Sequence, residues 1–429
     1  MGSTLAVLIA AYTLRYKTGN DISHSIPSNA VAVVNINLRN LENHLLFDFL
    51  THPTEYIKSS SKKSKDSSAV SYKIYKEIDL PKNLIFYSLE NDLSTWQSIP
   101  LSIKNSRKLS HYLLTKGFAK YSIENKNIWH KNKVYVIAEN NRINLIFSSK
   151  KTNVNLLAQN NKTTFIDTES SMYKQLSENK NDIVLVHQNK SIIEINFAEG
   201  AIDFTGVVIT DLLKKTEDLS DKSLIYLSAN INKESDFYKK LIRQINPDIF
   251  TKLTQLNLDS VQQKWQGKIR FKLHSFITQK DTIKTYEYDD DFNKIEKISV
   301  QDNLVPDFTL QLSSNATLSK YLLAQNALQI VDNDSIFVPF PLAKTRLSSL
   351  ANNTIIYTVS KNLSSDNSAV KLNFHIDLND YQKQSKASIF AFGKTHIIKT
   401  VSIQIDNDNR LKGSIQLNEL RNAFSLLYM

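Results

Sequence analysis

The chain has 429 residues, of which 41% are hydrophobic and 22% charged, and 53 basic and 42 acidic side chains give it a net charge of +11. This composition is typical of a folded protein with a sizeable core and excludes a chain that is disordered throughout. Because the chain has no cysteine, disulfides, thiolate metal sites and cysteine nucleophiles are excluded, and a bacterial periplasm or surface is favoured over a eukaryotic secretory origin.

The N-terminus carries a short apolar run, LAVLIAAYTL, at residues 5–14, directly followed by Arg15 and Lys17. Ten helical residues span about 15 Å, half of the roughly 30 Å hydrocarbon core of a bilayer. The run therefore predicts a signal or anchor segment that is either cleaved or truncated, and a buried N-terminal helix is the alternative. We assign residues 1–25 to this segment and its polar tether, and we expect residues 4–14 to contact the membrane.

A phrase made of an apolar residue, a polar turn and a run rich in Val, Ile and Tyr begins at four positions: Ile26, Leu80, Leu219 and Leu350. Such a turn followed by β-branched and aromatic residues predicts a strand. In the phrases at Ile26 and Leu80 the apolar residues are almost continuous, which predicts internal strands and not edges. The densest basic run, KSSSKKSKDSS at residues 58–68, has no interleaved aromatic residues and is typical of a solvated loop, so we expect no nucleic-acid partner.

Helical periodicity predicts helices at residues 109–118, 170–180, 234–245 and 248–256. Two hairpins are predicted to turn at residues 139–141 and 289–291. Because the chain has only 8 glycines, Asn and Asp must supply most of the turn conformations that need a positive φ.

A longer echo relates residues 195–215 to residues 403–422 when Gly206 is laid over Gly413. Each copy predicts a β-hairpin that runs into a short helix. Together with the repeated opening phrase, the echo predicts two diverged copies of one module, at residues 26–215 and 219–429. The expected fold class is α+β, with largely antiparallel sheets and packed helices, preceded by the N-terminal hydrophobic segment.

No group of residues carries an evident reaction. His274, His375 and His396 lie in alternating strands without a second histidine at metal-ligand spacing. Residues 289–291 are three adjacent aspartates in a predicted turn, and the run from Asp406 has Arg410 where a calcium loop needs a ligand. We therefore assign no catalytic, cofactor-binding or metal-binding residue and no cofactor.

Four segments carry a resemblance to a known group of proteins: IPSNAVAVVNINL at 26–38, KWQGKIRFKL at 264–273, TYEYDDDFNKIEK at 285–297 and GSIQLNELRNAFSLLYM at 413–429. They resemble uncharacterised envelope proteins of the Bacteroidota type, which are often lipoproteins. The resemblance implies a place in the bacterial cell envelope and no catalytic residue. The chain departs from these proteins in one respect: it lacks the lipid-bearing N-terminal cysteine. Any anchoring must therefore come from the apolar run.

These observations lead to the hypothesis of a non-enzymatic, envelope-anchored binding or structural protein, whose ectodomain lies in the periplasm or at the cell surface and contacts other envelope proteins. One alternative is a hydrolase that acts on the cell wall or on carbohydrate through a pair of carboxylates. Another alternative is a carrier of a lipid or apolar ligand in a groove between the two modules.

Overall fold

The computed structural model describes residues 24–54, 77–90, 93–123, 125–150, 164–218, 223–288, 292–315, 317–331, 334–339, 343–350, 352–360, 363, 366–385 and 397–428. The chain divides into two compact units. The first comprises the residues up to Ile209 together with the segment from Leu420 onwards, and the second runs from Thr210 to Glu419.

The elements of the first unit are β1 (Ala32–Asn37), α1 (Leu38–Thr51), β2 (Asn83–Ser88), β3 (Thr95–Ser98), β4 (Leu101–Ser102), α2 (Ser106–Thr115), β5 (Ala119–Ile123), β6 (Lys126–Lys131), β7 (Val134–Glu139), β8 (Arg142–Ser148), α3 (Ser171–Glu178), β9 (Ile183–His187), β10 (Ile192–Ala198) and β11 (Ala201–Val207).

The elements of the second unit are β12 (Leu213–Lys214), β13 (Thr216–Asp218), β14 (Ile225–Ile231), α4 (Asp236–Gln244), α5 (Pro247–Thr254), α6 (Leu258–Lys264), β15 (Trp265–Tyr288), β16 (Lys294–Ser314), α7 (Thr317–Ala324), β17 (Leu328–Val331), β18 (Asp334–Phe337), β19 (Lys344–Leu350), β20 (Asn353–Tyr357), β21 (Asp366–Asp377), α8 (Leu378–Ser385), β22 (Ile398–Asp406) and β23 (Arg410–Leu417). The last helix, α9 (Ala423–Tyr428), belongs to the first unit.

The strands of the two units pair in the same order. In the first unit the order is β11, β10, β9, β1, β2, β3, β8, β7, β6, β5, with every pair antiparallel. In the second unit it is β23, β22, β21, β14, β15, β16, β20, β19, β18, β17, again antiparallel throughout. Duplication of one module would produce the same strand order in both units. The common origin of residues 26–215 and 219–429 stays a prediction.

The four repeated phrases form β1, β2, β14 and β20, and each of these strands has a neighbour on both sides. The prediction of internal strands, made for the phrases at Ile26 and Leu80, is therefore confirmed. In the first unit, Val33 and Ile85 lie fully buried beside Leu176 of α3. In the second unit, Phe308 and Ile356 form the corresponding centre of the core. The Val- and Ile-rich runs are thus buried because the sheet has side chains packed against it.

Asparagine and serine side chains begin the helices. The Asn37 side chain accepts a hydrogen bond from the backbone N–H of Asn40 at 3.1 Å, which ends β1 and starts α1. Asn105 does the same for α2 through the N–H of Lys108 at 3.0 Å. Since such caps satisfy N–H groups that lack a partner inside the helix, each helix begins at a defined residue.

The two predicted hairpins are present. β7 and β8 turn through Asn140 and Asn141, which both have positive φ. β15 and β16 form the second hairpin, whose turn at 289–291 lies outside the described residues. Five asparagines have positive φ, whereas no aspartate does within the described ranges, so asparagine alone takes the role expected for both residue types.

The expected class, α+β with packed helices, is wrong. About half of the described residues lie in strands and about a quarter in helices. The four stretches with helical periodicity do form α2, α3, α4 and α5, but α3 buries only Leu176 and α5 buries no side chain. Because helices this short bury little surface, the antiparallel sheets carry most of the core. The predicted hydrophobic segment lies outside the described residues, which begin at residue 24.

The helix predicted after the first hairpin is also absent. Leu213 and Lys214 form β12 and pair with Ile231 and Asn230 of β14. Pairing with the sheet satisfies the backbone hydrogen-bonding groups there and overrides the local preference for helix. After the second hairpin a helix does form, as α9.

Among the described residues, no helix has both the length and the apolar character that crossing a membrane requires.

The two aligned glycines differ in backbone conformation. Gly206 pairs with Ile193 and Gly413 with Ile403. Gly206 has φ of 144°, and a Cβ there would overlap the carbonyl oxygen of Ile192. At Gly413 a Cβ would lie 2.9 Å from the carbonyl oxygen of Ser402 without a positive φ. Only Gly206 therefore requires the conformational freedom of glycine.

We expect Gly206→Ala to lower the free energy of unfolding by about 3 kcal/mol, because it adds both backbone strain and a steric overlap. Gly413→Ala is the matched control and should cost about 1–2 kcal/mol less, since it also meets a backbone carbonyl but adds no strain from a positive φ. Urea unfolding of the full chain, followed by circular dichroism, measures both. Equal losses of unfolding free energy in the two variants would contradict the conclusion that only Gly206 requires glycine.

Candidate functional site

The histidines and aspartates considered as site residues have structural partners wherever the structure describes them. His274 Nε2 lies 3.0 Å from Thr309 Oγ1, and the ring of His375 stacks on Tyr226. Burial lowers the pKa of His375, against a smaller opposing effect of Asp377. The carboxylate of Asp406 accepts backbone N–H groups within its own turn. His396 and the aspartates at 289–291 lie outside the described residues.

Within the described ranges, His, Asp and Glu side chains form no group of three or more that would hold a metal ion.

A buried ion pair joins α1 to the C-terminal segment of the first unit. Arg421 Nε donates to Asp48 Oδ1 at 3.1 Å, and its Nη2 donates to Asp48 Oδ2 at 2.5 Å. His52 Nδ1 lies 3.3 Å from the same carboxylate. Asp48 is buried and Arg421 nearly so. A two-point pair of this kind fixes both position and orientation.

A second polar contact lies beside this pair. His44 Nε2 lies 3.0 Å from Asp182 Oδ2, which also accepts the backbone N–H of Phe197 at 2.8 Å. Asn422 Nδ2 lies 3.1 Å from His44 Nδ1 and donates to the carbonyl of Phe197. The segment before α9 is therefore held to α1 and β10 by several polar contacts.

A cavity of about 370 Å³ adjoins this network, and two carboxylates, those of Asp48 and Glu199, are among its lining groups. A glycosidase needs two carboxyl groups that are both available to the substrate. Both oxygens of Asp48 accept hydrogen bonds from Arg421, so this carboxylate acts as a clamp for the C-terminal segment. The geometry here does not support the hydrolase alternative.

Sequence reasoning missed this network. A single aspartate inside the apolar stretch HLLFDFL of α1 was the available signal, since a carboxylate on an apolar helix face requires a partner. Its partner lies 373 residues further along the chain, where no local pattern marks it.

Among the described helices of the second unit, α4 and α5 carry the most exposed apolar side chains. These helices repeat one pattern, FYKKLI at 237–242 and IFTKLT at 249–254. In both, the first and fifth residues are apolar and exposed and the fourth is an exposed lysine. Phe237 is 58% exposed and Leu253 is 70% exposed. Residues four apart lie on one face of a helix, so each helix presents an apolar pair to its surroundings.

The second residue of each pattern turns inward. Tyr238 is buried, its ring centroid lies 6.5 Å from that of Trp265, and burial raises its pKa. Phe250 packs against the core of the second unit. One aromatic side chain thus holds each helix to the unit, while the apolar pair beside it stays uncovered.

Both helices have defined ends. The Ser235 hydroxyl accepts the N–H of Tyr238 at 3.2 Å. The Asn246 side chain accepts the N–H groups of Asp248 and Ile249 at 2.9 and 3.2 Å. Gln255, with a φ of 60°, ends α5. These caps keep the exposed residues in a helical arrangement.

Charged side chains surround the apolar pairs. The exposed cations are Lys239, Lys240, Arg243 and Lys252. Asp236 and Asp248 lie in the first turns, where they interact favourably with the helix dipoles. Lys239 pairs with Glu234 at 3.3 Å. Each apolar pair is thus flanked by long basic side chains, which can extend away from it into water.

No protein-family model matches the chain, and no curated protein matches it. Two solved structures that are similar to it are those of TP0453 in crystal forms I and IV. They cover 80% and 81% of this chain and 93% of their own, with TM-scores of 0.25 and 0.24 and identities of 9% and 11%. Similarity this low carries no argument, so a function rests on the residues of this chain alone.

We expect Arg421→Met to lower the free energy of unfolding by about 3–5 kcal/mol, because it removes the two-point cationic partner of the buried Asp48 carboxylate. The double variant Asp48→Leu/Arg421→Met should recover most of this loss, since it removes both charges. The exposed Arg410→Met is the control and should change stability by about 0.5 kcal/mol or less. Urea unfolding measures all three, and an Arg421→Met variant as stable as Arg410→Met would contradict the role of the pair.

Proposed function

We propose that this protein is a non-enzymatic binding protein of the bacterial envelope and that α4 and α5 bind the surface of an anionic lipid bilayer. The single observation that carries the proposal is the repeated pattern of exposed apolar pairs flanked by lysine on two consecutive helices.

The energetics favour a bilayer as the occupant of this surface. Contiguous exposed apolar side chains usually mark a contact with a protein or a membrane. Two capped helices of nine and eight residues, separated by Ile245 and Asn246, each present only a pair of large exposed apolar side chains. They do suit a shallow interface, where apolar side chains enter the headgroup region and lysine side chains extend to the phosphates.

Charge supports the same choice. Lys240, Arg243 and Lys252 lie around the exposed leucines, and the chain carries a net charge of +11. Each basic side chain near an anionic surface contributes about 1 kcal/mol to binding. Binding should therefore weaken on neutral vesicles and at high salt.

The helix at the corresponding place of the first unit supports the proposal as well. α1 follows the central strand β1 as α4 follows β14, and it also exposes apolar residues, among them Phe47 and Leu50. The predicted membrane contact of residues 4–14 is a separate proposal, because those residues lie outside the described ranges.

The test is co-sedimentation of the full chain with vesicles of phosphatidylcholine and phosphatidylglycerol. Leu241→Asp/Leu253→Asp should lower the partition coefficient by about thirtyfold or more, which corresponds to about 2 kcal/mol of lost apolar burial. Leu323→Asp on α7 is the matched control and should bind like the unchanged chain, because Leu323 is 45% exposed and Leu241 46%.

A further arm separates the helix pair from the N-terminal run. Leu8→Asp/Ile9→Asp removes the apolar character of that run and leaves the helix pair intact. If this variant loses all vesicle binding and the Leu241→Asp/Leu253→Asp variant loses none, α4 and α5 are not the membrane-binding surface. Equal binding to neutral and anionic vesicles would contradict the role of the basic side chains.

A further inference from the structure

A cavity of about 430 Å³ lies in the first unit, between α2 and the strands β5 and β6. The inner side of α2 packs on the sheet through Leu109 and Leu113, which join Trp129, Val136 and other buried residues in one core cluster. The cavity remains where the first turns of α2 stand above the edge of the sheet, since β5 is paired only with β6 among the described strands. A volume of this size suits a small organic molecule.

The cavity is strongly basic. Three of its lining side chains are Arg107 and His111 of α2 and Lys120 of β5. None of the described residues that line it is acidic. Ser110 and Asn127 add groups that form hydrogen bonds. A site with basic side chains and no carboxylate attracts an anion.

Trp129 supplies an aromatic surface to the cavity. The indole forms part of the cavity wall and is 4% exposed. Lys120 Nζ lies 5.6 Å from the centre of the same ring, so cation and aromatic face are already together.

The position on α2 adds to the attraction. Arg107 and Ser110 lie in the first turns of this helix of ten residues. The N-terminal end of a helix carries a partial positive charge and favours negatively charged groups. Apolar side chains complete the wall, among them Leu109, Leu114 and Ala138. The cavity thus offers basic groups for an oxyanion together with apolar side chains for a ring.

We propose that this cavity binds a small organic anion in which a carboxylate or phosphate is attached to an aromatic or apolar ring. Arg107 and Lys120 hold the oxyanion, and the ring lies against Leu114 and Trp129. This site is separate from the membrane-binding surface proposed for α4 and α5 and does not depend on it.

The test is a calorimetric titration of the full chain with 2-naphthoate, with naphthyl phosphate, with inorganic phosphate and with the neutral 2-naphthamide. We expect the two aryl anions to bind, with an affinity at least about tenfold higher than that of 2-naphthamide or inorganic phosphate. The two aryl anions distinguish a preference for carboxylate from one for phosphate.

Variants locate the site. Arg107→Gln/Lys120→Gln should weaken 2-naphthoate binding by about tenfold or more. Lys108→Gln removes one positive charge from the same helix outside the cavity lining and should change the affinity by less than about twofold. We expect the double variant to remain folded, because both altered side chains are exposed. A thermal unfolding profile like that of the unchanged chain verifies this.

Three results would overturn the proposal: no binding of either aryl anion at millimolar concentration, an equal loss of affinity in the double variant and in Lys108→Gln, or equal binding of the anion and its neutral amide. Inorganic phosphate that binds as tightly as naphthyl phosphate would overturn the assignment of the ring to the apolar wall.

Discussion

The antiparallel pairing of one central strand in each unit constrains the rest of that unit. β1 pairs with β2 and β9, and β14 pairs with β15 and β21. Because side chains alternate between the faces of a strand, a slip of one residue would move Val33 away from the core around Leu176 and break the hydrogen bond that Asn35 Nδ2 donates to the Leu176 carbonyl, so the register is strongly specified. The central strands also fix where the following helices begin. Asn37, the last residue of β1, caps α1, and Ser235, shortly after β14, caps α4.

The helices that leave the central strands differ in how their second face is used. α1 has a buried carboxylate, Asp48, and the arginine that neutralises it secures the C-terminal segment of the first unit. α4 and α5 are each held by a single inward aromatic residue, Tyr238 and Phe250, and leave their apolar pairs uncovered. An apolar face that no element covers is unfavourable in water, and it is retained most easily where another surface covers it during function.

The two proposed sites work through different physical effects and lie in different units. The surface of α4 and α5 gains mainly from removing apolar side chains from water, with a smaller contribution of charge. The cavity beside α2 gains mainly from charge, since the basic side chains Arg107 and Lys120 line it and none of its described lining residues is acidic.

The sequence by itself determined the local elements: the strands of the four repeated phrases, the turn at Asn140 and Asn141, and the helices α2 to α5. These depend on residues that are close in the chain, so periodicity and turn chemistry suffice to predict them. Tertiary structure alone decided that sheet and not helix carries most of the core, and that Leu213 joins a strand although its surroundings favour a helix. It alone brought Arg421 to Asp48 and Lys120 to Arg107. The physical reason is that a helical pattern predicts an apolar or charged face, whereas what covers that face depends on residues distant in the chain.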